Sequence, residues 1–100
     1  MRYLSFDFSD AAEGPTTIEA IASTSAAEHA AVMDEVRQVL NWAWRHFAHT
    51  HGAIDDGADW DHDLQLTVEG GRWHAVALTL TASAAFAEAF VAEFGEPHAD

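Results

Sequence analysis

The chain has no cysteine and no lysine, and only two of its 100 residues are proline. Lack of cysteine excludes disulfide staples, thiol nucleophiles and cysteine-ligated zinc together. Positive charge is almost as scarce: Arg2, Arg37, Arg45 and Arg72 stand against 17 acids, a formal charge of −13. Such a field repels phosphates, whose binding relies on Lys and Arg, so direct nucleic-acid binding is not expected. Long apolar runs are missing too. Ala75-Val76-Ala77-Leu78 and Ala89-Phe90-Val91-Ala92 stop at four residues, whereas a spanning helix needs roughly 18 or more, so no membrane association is expected. Near the start, Asp7 interrupts the chain before the apolar core of an export signal develops. A cytoplasmic location is the resulting expectation.

What is present suits one core. The length lies in the usual range for one domain and 49% of residues are hydrophobic, so residues 1–100 are expected to form a single domain with 95–100 as a fraying tail. Charge is uneven: residues 1–50 hold seven acids and three arginines, residues 51–100 ten acids and one arginine. Asp55, Asp56, Asp59, Asp61 and Asp63 fall within nine residues, and like charges that close must stay solvated or find a cation.

Hydrophobic periodicity predicts the elements. Residues 2–8 alternate, with Leu4, Phe6 and Phe8 on one face and Tyr3, Ser5 and Asp7 on the other, which reads as a strand. Acids with Gly14 and Pro15 make a turn, and Thr16 to Ala22 gives a second strand, where Ile18 and Ile21 fall on opposite faces and suggest a bulge or a partly covered outer face. Ser25 and Glu28 fit a capping box opening a helix to about His49. Its expected core stripe is Met33, Val36, Leu40, Ala43, Trp44 and Phe47. Leu64, Leu66 and Val68 alternate before Gly70-Gly71, and a strand from Arg72 to about Thr81 follows. An odd, three-residue loop over Glu69-Gly71 pairs Val68 with Arg72 and Leu64 with Val76, keeping the large aliphatics on one face. Phe86, Phe90 and Phe94 then stripe a last helix, with Ser83 as cap and Gly95 as stop. The order ββαββα implies an α+β, two-layer fold: a four-stranded, mainly antiparallel sheet with two helices on one face.

Chemistry is harder to locate. His46, His49 and His51 lie close to the aspartates, and with Asp59 and Asp61 they make a candidate site for zinc or another divalent cation, because neutral imidazole and carboxylate are ordinary zinc ligands. Protonated histidines attracted to a helix C-terminus explain the same pattern without a metal. Calcium in an EF-hand is excluded, because counting from Asp59 puts Leu64 where glycine is required and Gly70 where glutamate is. No Gly-x-Ser-x-Gly elbow, phosphate loop or dinucleotide fingerprint occurs, so the expectation leans away from an enzyme and from any cofactor. Of the four tryptophans, Trp44 reads as core and Trp42 as flank. Trp60 and Trp73, with Tyr3, Asp55 and Asp56, read as candidate interaction residues. The leading expectation is therefore a non-catalytic, acidic interaction module, either inhibitor- or immunity-like on a basic protein partner or homodimeric. The alternative is a His/Asp divalent-metal protein of hydrolytic type.

Overall fold

The computed structural model describes residues 2–10 and 14–95. Strands β1 (Phe6–Asp10) and β2 (Thr16–Ser25) lead into helix α1 (Ala26–His46), and after a short 3-10 turn, β3 (Trp60–Glu69) and β4 (Trp73–Ala82) lead into α2 (Ala84–Phe94). The strands form one four-stranded antiparallel sheet in the order β1-β2-β4-β3, the α+β arrangement anticipated. The second strand of each hairpin is thus central, and β1 and β3 are edges. The polar tail anticipated past Gly95 and the middle of the turn after Asp10 lie outside the described residues.

Alternation decides which face is covered. In β2, Ile18, Ala20, Ala22 and Thr24 are buried while Glu19, Ile21 and Ser23 are exposed. Its pairing with β4 runs unbroken from Thr16 opposite Ala82 to Ser25 opposite Trp73. The anticipated bulge is therefore absent, and Ile21 is simply left 61% exposed on the open face. Val76, Leu78, Leu80 and Ala82 of β4 complete the covered face, where both helices pack.

The first strand begins later than alternation suggests. The backbone N–H groups of Arg2, Tyr3 and Leu4 donate to the carboxylate of Glu35 on α1, Leu4 at 2.9 Å. Those donors are satisfied by a helix side chain rather than a ladder, so pairing starts at Phe6 opposite Ala20. Tyr3 consequently lies outside the sheet, half-buried against the core, and not on the open face.

Helix α1 is rotated from its anticipated phase. Its buried residues are Val32, Glu35, Val36, Val39, Trp42 and Ala43, while Met33, Leu40 and Phe47 flank the core and Trp44 is 42% exposed. The partner surface sets this phase. Trp42 stands edge-on to Phe86, Phe90 and Phe94 of α2, with ring centroids 5.4, 5.9 and 5.4 Å away, the aromatic geometry favoured by ring quadrupoles. Ser25 is the cap residue of α1, but its hydroxyl contacts Glu28 Oε1 at 3.3 Å and no backbone amide, so the reciprocal capping box does not form. At α2 the cap forms as anticipated: Ser83 Oγ accepts from Phe86 N–H at 3.2 Å.

The β3-β4 loop is odd-length, as parity requires, but it comprises Gly70, Gly71 and Arg72. Glu69 pairs with Trp73, Val68 with His74 and Leu64 with Leu78, two residues along from the anticipated register. The reason is local: Gly70 and Gly71 adopt φ of 60° and 70°, the left-handed pair a tight hairpin turn requires, and Arg72 N–H closes the turn on Glu69 O at 3.1 Å.

Candidate functional site

Chemistry-bearing side chains concentrate along β3. Helix α1 stops at His46, and the chain returns along the outer edge of β3. Asp59 N–H donates to Thr50 O at 2.8 Å and Gly52 N–H to Trp60 O at 2.9 Å, so His51 forms a parallel bridge with Trp60. A 3-10 turn at Ile54–Asp56 and Gly57, at φ 90°, reverse the chain between these contacts.

This return fixes His51. Its ring lies 4.6 Å from Trp44 and 4.5 Å from Trp60 between centroids. His51 Nε2 stands 2.9 Å from His62 Nδ1 and 3.2 Å from Asp61 Oδ1. Asp61 Oδ1 also accepts the backbone N–H of His62 at 2.9 Å. Consecutive strand residues point to opposite faces, yet Asp61 and His62 meet one imidazole because His51 sits at the sheet edge, beside both. All three residues are half-buried.

The anticipated metal set is therefore divided. His51 and Asp61 come together. His46 is exposed beside Trp42, ring centroids 5.6 Å apart, and His49 lies past the end of α1, so the helical face these two were to share does not exist. His49 instead lines an open cavity of about 340 Å³ with Thr50, His51 and Asp56. Asp59 is engaged elsewhere: its Oδ1 accepts from Ser83 Oγ at 2.8 Å and its carbonyl from Ser83 N–H at 2.7 Å. It ties the start of β3 to the cap of α2. His62, missing from the anticipated set, joins His51 and Asp61 instead. Its signal was parity, since it shares a strand face with Leu64, but its neighbour His51 arrives only through the loop.

The anticipated interaction residues separate as well. Trp60 is wholly buried, stacked on Phe86 with an interplanar angle of 14°, and its Nε1–H donates to Phe47 O at 3.0 Å. It is a core residue because β3 turns its even positions inward. Asp55 and Asp56 are exposed in the 3-10 turn, and Trp73 is 51% exposed on the open face.

No known protein family, curated protein or solved structure matches this chain. The reading of function rests on the residues themselves.

The remainder of β3 is an open edge. Beyond the bridge at Trp60, no strand among the described residues pairs with its outer side. Asp61, Asp63 and Glu69 lie on the open face of the sheet, while Leu64, Leu66 and Val68 lie on the helix face. Leu66 and Val68 project beyond the helices and are 55% and 57% exposed. Long apolar edges recruit other strands, and charged side chains are a common means of limiting that recruitment. This edge carries both features, sorted by face.

Proposed function

We propose that the protein is a non-catalytic interaction module that accepts an extended, basic segment of a partner protein along the outer edge of β3. The observation carrying this reading is the sorting of side chains on that edge: acids at Asp61, Asp63 and Glu69 on one face, exposed aliphatics at Leu66 and Val68 on the other. An added strand would extend the sheet and share its two faces. Its favoured sequence follows: Lys or Arg at alternate positions beside the acids, with apolar residues between them beside Leu64, Leu66 and Val68.

A second copy of the chain fits this edge poorly. In an antiparallel self-pairing that keeps aliphatics together, Asp61 or Asp63 falls opposite or diagonal to an acid of the other copy, and like charges so placed destabilise a pair. Each copy also brings a formal charge of −13. Against a basic partner the same field accelerates encounter and selects the partner.

The test is a fluorescence anisotropy titration with two synthetic peptides of equal composition and the length of β3. In one, lysine and valine alternate; in the other they are segregated into blocks. The alternating peptide is expected to bind at least about tenfold more tightly, a difference of about 1.4 kcal/mol. Leu66→Ser should weaken it roughly fivefold, as half-burial of one leucine implies. Equal affinity for both peptides would reduce the binding to charge attraction and overturn the proposal. So would a sedimenting dimer that binds neither.

A further inference from the structure

The cluster at the start of β3 shares Asp61 with the peptide edge but rests on its own geometry, which the peptide reading does not use. From its geometry we infer that His51 Nε2, His62 Nδ1 and Asp61 Oδ1 form a site for one divalent transition ion of the zinc class. The three ligand atoms lie within 4.8 Å of one another, and the two contacts of His51 Nε2 are 2.9 and 3.2 Å. Tetrahedral zinc with bonds of roughly 2.0–2.1 Å holds its ligands roughly 3.3–3.4 Å apart. Small outward shifts of the side chains therefore suffice to admit the ion.

A hydrogen bond between the two imidazole nitrogens needs one hydrogen, on His51 Nε2 or His62 Nδ1 according to tautomer, and a hydrogen on His51 Nε2 also faces Asp61 Oδ1. A cation in the centre replaces that hydrogen and meets three lone pairs at once. The donor set also selects the ion: two ring nitrogens and one carboxylate suit zinc, cobalt or nickel, whereas calcium and magnesium prefer oxygen.

The surroundings hold the ligands in place. His51 is flanked by Trp44 and Trp60, and its backbone neighbour Gly52 is bonded to Trp60. Asp61 Oδ1 keeps the N–H of His62, an orienting contact of the kind that supports metal ligands. Three protein ligands leave a fourth position for solvent. A bound ion would also clasp the return loop to β3, linking position 51 to 61 and 62.

Calorimetric titration of the intact protein with zinc, in excess magnesium, tests the site. One ion per chain is expected. His62→Gln and Asp61→Asn should each weaken binding by at least about a hundredfold, since even outer-shell partners are worth roughly 10–100-fold. His46→Ala and His49→Ala should change it less than about twofold, and zinc should slow amide exchange across residues 52–59 in the wild type and in these two variants but not in His62→Gln or Asp61→Asn. Equal binding by all four variants, or loss of binding in magnesium, would overturn the inference by showing diffuse attraction to an acidic surface. Unaltered exchange in 52–59 on zinc binding would overturn it as well, because the ion would then lie elsewhere.

Discussion

Glu35 Oε1 accepts the backbone N–H of Leu4 at 2.9 Å, across 31 positions of sequence. The same carboxylate takes the N–H groups of Arg2 and Tyr3, so one helical side chain organises the approach to β1. Glu35 is 8% exposed and Leu4 2%, which removes water as an alternative partner for the Leu4 amide.

Glu35→Ala should therefore be strongly destabilising for a single substitution. Hydrogen bonds to a charged acceptor are worth roughly 1.5–3 kcal/mol, and the amides left without a partner add to the loss. Urea unfolding should show a loss of about 3 kcal/mol. A loss under about 0.5 kcal/mol would mean that Arg2, Tyr3 and Leu4 find other acceptors.

Trp42 and Trp44 should exchange the importance their spacing suggests. Trp42→Ala removes the ring between the helices and should cost about 3–5 kcal/mol. Trp44→Ala removes a part-exposed ring beside His51 and should cost about 1 kcal/mol, by area removed from water. Thermal unfolding of the two variants checks the order, and a larger loss at Trp44 would contradict the observed helix phase.

These two residues mark the limit of the sequence. Strand faces were legible because period-2 alternation is unambiguous at Leu64, Leu66 and Val68, and keeping the aliphatics of both strands on one face made the loop length odd. The phenylalanine stripe of α2 was legible for the same reason, being a single clean row. In α1, two adjacent rows are both apolar, Met33-Val36-Leu40-Ala43 and Val32-Val36-Val39-Trp42, and only the ring surface of α2 chooses between them. Glu35 was not legible, since its partners are backbone amides on a distant segment. Two of the three clustered residues, His51 and Asp61, were legible. His62 was not, because their meeting depends on the loop returning along the β3 edge.

Asp59 and Ser83 should behave as one structural unit. Ser83 Oγ gives its hydrogen to Asp59 and accepts from Phe86 N–H, so Ser83→Ala should cost about 1 kcal/mol, as loss of a helix cap does. Asp59→Ala should cost a similar amount, and the double variant less than the sum. Asp59→Ala should also leave zinc affinity unchanged. Additive losses would show that the two residues act separately, and weakened zinc binding would return Asp59 to the ligand set.

The most direct measurement is residue-resolved amide hydrogen exchange on the protein with and without the alternating lysine-valine peptide. An added strand takes the outward-pointing amides of β3, which alternate with those already bonded to β4. The account predicts slowed exchange at Leu64, Leu66 and Val68, with little change in β1; the His62 amide already donates to Asp61 Oδ1. Protection confined to the Asp55 and Asp56 turn, or spread evenly over the acidic surface, would contradict it.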